Sequence, residues 1–253
     1  MKYRIYSLFR ENFLLATLLL FGLFMLGAAG PAEARKVYSP NVEKGEIEIE
    51  YLADVSLDSD PAVDGTAKHQ FEFGYGFTDR WFSAITAVYT RTPAQSFRYD
   101  RIKWENIYQL FEKGEHWLDA GLYAEYQIPD SNLNKPDVFE FKLLLEKQEG
   151  SIRNDANLIF KKELGANAAN NTTFSYAWKT RWYFKQAFKP GFEVYGALGE
   201  LGNTSSLSLQ SHMIGPVISG KLLDHFEYEI GYLFGLTRGT ADGNLKLILA
   251  YEY

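Results

Sequence analysis

The sequence predicts an all-β protein: a closed, up-and-down antiparallel barrel of about twelve strands that crosses a membrane. The first observation behind this is period-two alternation of apolar and polar residues, repeated between residues 43 and 253 with almost no helical periodicity. The second is the length of the alternating runs. Most are about ten residues long, which suits a tilted strand crossing a bilayer, whereas strands of globular proteins average about half that. The third is that tight and longer connections alternate along the chain, as the two rims of an up-and-down sheet require.

The first strand is read in "GEIEIEYLADV", where Ile47, Ile49, Tyr51, Ala53 and Val55 oppose Glu46, Glu48, Glu50 and Asp54. "KHQFEFGYGF" sets Phe71, Phe73, Tyr75 and Phe77 against Lys68, Gln70, Glu72 and two glycines. "RIKWENIYQL", "WLDAGLYAEYQI" and "VFEFKLLLEK" continue the pattern, with Trp104, Leu122 and Phe141 on the apolar side and Lys103, Glu125 and Lys142 on the polar side. "IRNDANLIFKKEL", "TFSYAWKTRWYF" and "FEYEIGYLFGL" follow, and "LKLILAYEY" closes the chain with Leu249, Tyr251 and Tyr253 on its apolar face. Three further segments, 81–90, 192–200 and 207–220, alternate less cleanly, and Pro216 weakens the last because proline donates nothing to a ladder. Tight turns are read at residues 78, 112, 148, 185 and 222, and longer polar links at 56–66, 91–98, 129–136, 165–172, 200–206 and 237–243. With an even number of strands both ends of the barrel fall at the short-turn rim.

A soluble sandwich also alternates, but here the apolar face is heavy in nearly every strand. The 19 Phe and 17 Tyr supply much of it, and the chain offers neither a helix nor a second apolar layer to cover it. Lipid can cover it, provided that the sheet closes so that every backbone group is paired. Trp81, Trp117, Trp182, Phe192 and Phe226 stand beside the short turns, where an interfacial aromatic girdle belongs. None of the longer links exceeds about a dozen residues, which argues against a folded-in plug.

The N-terminus reads as an export signal. Lys2, Arg4 and Arg10 precede an apolar run from Phe13 to Ala29, and "GPAEAR" places Ala32 and Ala34 for cleavage after Ala34. The organisation expected is a signal peptide at 1–34, a short lead at 35–42 and the barrel at 43–253. The chain has no cysteine, so disulfides, thiolate chemistry, cysteine metal sites and a lipid anchor on cysteine are all excluded. A net charge of -6 without a basic patch argues against nucleic acid as a partner. No cofactor is expected.

With "LKLILAYEY" at its end and "YGFTDRW" at 75–81 as a strand-turn-strand unit, the chain resembles bacterial outer-membrane β-barrel proteins. It is similar to uncharacterised porin- or transporter-like families such as the MetA proteins of phenol-degradation pathways. The resemblance implies a Gram-negative outer membrane, lipid around the barrel, and periplasmic chaperones and the barrel-assembly machinery as partners. It also implies that Leu249, Tyr251 and Tyr253 serve as the assembly signal.

Chemistry is sparse. The four histidines are His69, His116, His212 and His225; Ser211-His212 is the one close serine pair, and adjacent strand residues point to opposite faces. No enzyme is therefore expected. "EIEIE" at 46–50 suggests a cation site, weighed against a lumenal charge network in which Lys246 of the last strand neighbours the first. The residues expected to line the lumen are Glu48, Glu50, Glu72, Arg101, Lys103, Glu105, Lys179, Arg181, Glu227 and Glu229, with bulky Tyr123 and Tyr183 narrowing it. The function expected is a porin-like channel or transporter for small solutes. A non-conducting structural or adhesion barrel, its lumen closed by charge, is the alternative.

Overall fold

A computed structural model describes residues 35–253 except 166, 167, 170, 205 and 224. The expected signal peptide lies outside the described residues. The strands are β1 (Ile47–Leu57), β2 (Ala67–Thr78), β3 (Trp81–Thr92), β4 (Gln95–Gln109), β5 (Asp119–Pro129), β6 (Asp137–Glu149), β7 (Ile152–Leu164), β8 (Thr172–Trp182), β9 (Lys189–Glu200), β10 (Asn203–Thr204), β11 (Ser211–Leu222), β12 (Phe226–Gly235) and β13 (Gly243–Glu252). Apart from β10, a two-residue strand folded back on the end of β9, each strand pairs antiparallel with its neighbours in the chain, and β13 pairs with β1. The result is a closed barrel of twelve strands, as the alternation predicts.

Closure is complete at the backbone. Tyr51 faces Leu249 and Asp54 faces Lys246 across the seam. At its foot the Ile47 N–H donates to the Tyr253 carbonyl at 2.8 Å, and the Tyr253 N–H donates back at 3.0 Å. No edge remains there to be satisfied by water, which is what a sheet in hydrocarbon demands.

The barrel is inverted relative to a soluble domain. Phe73, Trp104 and Ile230 are 57%, 54% and 45% exposed on its outside, while Glu193, Lys246 and Asp155 are buried inside. Trp81, Trp117, Trp182 and Phe192 are exposed at the short-turn rim, where the girdle was expected.

Two sequence expectations need correction. The link at 91–98 is not a loop, because β3 and β4 run on to a tight turn at Pro93 and Ala94. The polar residues there belong to a hairpin with irregular register between Val88 and Thr92, so this connection breaks the strict alternation of short and long. The expectation that nothing folds into the barrel also fails, for the intruder is not a loop. It is the lead itself.

Strand β11 shows the effect of Pro216. Its ladder with β12 runs from Met213 and Ile214, lapses at Gly215 and Pro216, and resumes at Val217, while its ladder with β9 is unbroken. The missing proline N–H is thus accommodated by one lapsed side of an otherwise central strand.

Candidate functional site

Residues Arg35 to Val42 descend through the lumen from the long-loop end to the short-turn rim, then turn at Glu43–Gly45 into β1. Their contacts mark the descent. Arg35 pairs with Asp54, high on β1, and Lys36 with Glu48, Glu50 and Glu72. The Tyr38 N–H donates to Asn157 of β7 at 2.8 Å, and the Asn157 amide donates to the Tyr38 carbonyl at 2.9 Å. Ser39 and Asn41 donate to Glu146 of β6, and the Val42 N–H donates to Gln109 at the foot of β4. Eight residues near full extension reach roughly 25 Å, most of the hydrocarbon thickness.

Small residues on the wall make room for it. A Cβ at Gly121 of β5 would lie 2.9 Å from Pro40 Cβ, so only glycine lets Pro40 lie there undisturbed. A Cβ at Gly76 would collide with the Glu43 carbonyl, and the Gly76 N–H instead donates to the Glu46 carbonyl at 2.9 Å, clamping the turn into β1.

Lys36 explains the acidic stretch. Glu50 faces Glu72 directly across the β1–β2 ladder, an arrangement that repels unless a cation intervenes. The Lys36 ammonium supplies it, at 3.3, 2.9 and 3.4 Å from Glu48, Glu50 and Glu72. These carboxylates place oxygens within 4.8 Å of one another, the spacing of a metal site, but their cation belongs to the chain. Lys246, which the sequence offers as their neighbour, is engaged elsewhere.

Below Lys36, Tyr38 anchors the segment in a small core with Tyr123 and Leu144. The two tyrosine rings lie 4.7 Å apart, and the Lys142 ammonium stands 4.0 Å from one and 4.1 Å from the other, a buried cation–π arrangement. Both hydroxyls donate to Glu105, at 2.9 and 2.7 Å. Glu105, Glu125 and Glu140 stand side by side across β4, β5 and β6, and Lys103, Lys142 and Lys161 hold the row together.

Two further networks line the wall. Lys179 and Lys246 alternate with Glu193 and Glu229, with ion pairs of 2.6–3.5 Å linking β8, β9, β12 and β13. Arg153 bridges Glu146 and Asp155, and Arg181 pairs with Asp155 at 2.9 Å. Removing one partner of such a buried set leaves a charge uncompensated, which costs about 3–5 kcal/mol.

The expected lining residues are therefore sorted into groups. Glu48, Glu50 and Glu72 meet on Lys36; Lys103 and Glu105 belong to the tyrosine cluster; Lys179 and Glu229 share the quartet with Lys246; Arg181 joins Asp155. Arg101 lies apart, paired with Asp100 at 2.6 Å and bonded to Gln127. Glu227 sits at the short-turn rim, 3.6 Å from Lys221. Tyr123 points inward as expected, whereas Tyr183 lies just beyond β8, its hydroxyl 3.4 Å from Arg153. Sequence reading missed Lys36 and Tyr38 entirely. The signal available was two glutamates at equivalent heights on consecutive strands with no basic partner in register.

Above Arg35 the lumen opens into a vestibule of about 1030 Å³, with Arg35 at its floor and Ser56, Asp58, Leu207, Thr237 and Asp242 among its walls. Ser211 and His212 are not joined there: Ser211 accepts from Thr240, while His212 contacts Tyr176 and Gln210. At the opposite rim His225 lies 5.8 Å from both the Tyr251 and Tyr253 rings, and Leu249 sits further up the same face.

No protein-family model and no curated protein matches the chain. Among solved structures it is similar to the NanC porin (TM-score 0.57, 8% identity, 81% of this chain and 98% of that one). It is also similar to the COG4313 outer-membrane channel of Pseudomonas putida F1 (TM-score 0.57, 8% identity, 89% and 100%). At such identity the likeness concerns the fold. With its outward apolar belt and aromatic rim, that fold is a closed β-barrel of the kind these outer-membrane channels have.

Proposed function

We propose that the barrel is a porin-like channel or transporter for small solutes, with the Arg35–Val42 segment as an obstruction held in its lumen. The observation that carries this is the charged interior wall, continuous from the short-turn rim to the open vestibule. A barrel that served only as a scaffold could be filled from its own walls, as eight-stranded barrels are. Here the wall leaves a track that a separate stretch of chain occupies. The inward charges Glu48, Glu50, Glu72, Lys103, Glu105, Lys179, Arg181 and Glu229 are assigned as the electrostatic lining of the pore, with Arg101 and Glu227 towards its two mouths. No catalytic role is assigned to the histidines, and a relation to the MetA-type families belongs to the same reading. So does recognition of Leu249, Tyr251 and Tyr253 by the assembly machinery, aided by periplasmic chaperones.

The test is planar-bilayer conductance of the refolded chain from Arg35 onward beside a chain beginning at Glu43. Discrete steps that grow when the segment is absent establish the channel. Two folded, inserted and silent proteins overturn it in favour of a non-conducting structural barrel.

A further inference from the structure

At the top of the lumen Arg35 meets Asp54. Asp54 is fully buried. Its Oδ1 accepts from the Arg35 guanidinium at 3.1 Å and from the side-chain amide of Asn244 on β13. Its Oδ2 accepts from the Arg35 backbone N–H at 3.3 Å. That last contact is long, and a neutral N–H is a modest partner for a buried carboxylate oxygen, where charge-assisted bonds run about 2.7–2.9 Å. A second observation points the same way. The carbonyl oxygen of the same Asn244 amide is buried and has no hydrogen-bond partner among the described residues. Lys246, Asp54's partner across the seam, is committed to Glu193 and Glu229, while Lys68 stands opposite on β2. A long neutral contact and an unmet acceptor thus lie about one buried carboxylate.

We propose that Asp54 is the receptor for the α-ammonium group released when the leader is cut after Ala34, so that proteolytic maturation seats the lumenal segment. This rests on that cleavage position and on the segment being the obstruction described above. In the cut, a protease of the signal-peptide-cleaving class adds one water across the Ala34–Arg35 peptide bond. Ala34 leaves with the new carboxylate, and the Arg35 nitrogen becomes an ammonium at neutral pH. The single neutral N–H of that nitrogen becomes three donors carrying a full charge. One serves Asp54 Oδ2, now as a charge-assisted bond. The precursor lacks this latch; the mature chain brings it to Asp54 as the barrel closes around the segment.

The experiment compares three refolded chains: one beginning at Arg35, one with a single alanine added before Arg35, and one beginning at Glu43. The added alanine moves the α-ammonium by about 3.5 Å while keeping the Arg35 side chain. Intact mass of the outer-membrane protein first establishes where the natural chain begins, and any start other than Arg35 overturns the proposal. Trypsin cleavage after Lys36, a bond equivalent in the chains that begin at Arg35 and at the added alanine, then reports seating in the folded barrel, with conductance alongside. The expected result is that the added alanine speeds trimming roughly tenfold, the scale of losing a charge-assisted bond, and raises conductance towards that of the Glu43 chain. Arg35→Leu, which keeps the α-ammonium, should be cut after Lys36 more slowly than the extended chain. Equal protection with and without the alanine overturns the latch, since the guanidinium and Lys68 then suffice. If the Glu43 chain conducts no better than the chain from Arg35, the obstruction reading itself has failed, a distinct outcome.

Discussion

At the residue scale, the turn into β1 concentrates acid. Glu46 lies just outside β1, and its carboxyl is pushed up to about 7 by burial first, then by Glu48, Glu252 and Glu43, with Lys221 opposing. The folded chain therefore holds this proton more tightly than the unfolded chain. Between the ordinary value of 4.5 and about 7 the unfolded state has released the proton and the folded state has not. Stability contributed by the protonated group is full below that window and is lost as pH rises through it. Urea unfolding of the refolded barrel across this range should show the decline, and Glu46→Gln should flatten it. The acidic run at 46–50 was visible in the sequence, but its counter-ion was not. Alternation assigns a side chain to a face; it cannot say that a lysine ten or more residues upstream, in a stretch with no periodicity, will return to that face.

At the element scale, the strands were the legible part. Eleven or so residues of alternating Phe, Tyr and Glu leave little freedom about which side meets lipid, because a slip of one residue turns every ring inward. The exceptions have local causes. The β3–β4 hairpin looked like a loop because its tip is polar, and β11 looked doubtful because Pro216 does interrupt one of its ladders. The lead was illegible for another reason: its fit is written in the wall. Gly121 reads as a neutral strand glycine until Pro40 is seen against it. Gly121→Val should therefore unseat the segment while leaving β5 paired. Overpacking of this kind costs about 1–3 kcal/mol, and relief by expelling Pro40 should appear as larger conductance steps with an unchanged β-sheet circular dichroism spectrum.

At the scale of the whole molecule, the first and last strands meet at the short-turn rim. The lead turns at the short-turn rim into β1, and β13 ends beside it with Tyr253 bonded to Ile47 and ringed by His225. The lumen and the C-terminal aromatic signature are thus joined through the same strand pair. Tyr253→Ala should remove a ring contact worth about 0.5–1.5 kcal/mol, a small loss for the refolded protein in detergent. If Tyr253 is also read by the assembly machinery, the amount of heat-modifiable barrel in the outer membrane of cells should fall much further than that loss explains. A fall no greater than the stability change would assign the residue to packing alone.

The seam between β1 and β13 has a kinetic consequence. Its contacts are the most distant in the chain, with Asp54 and Asn244 separated by 190 residues. Contacts between such remote positions form late, because the entropy of closing the intervening chain must be met before they reward it. Until then the sheet is a trough, open along one side. The lead is covalently continuous with β1, one lip of that trough, and Tyr38 reaches Asn157 across a separation of 119 residues, far shorter than the seam's. The order that follows is laying-in before sealing: the segment settles against a half-formed wall and is enclosed as the last strand zips home, with no end to be threaded through a finished ring.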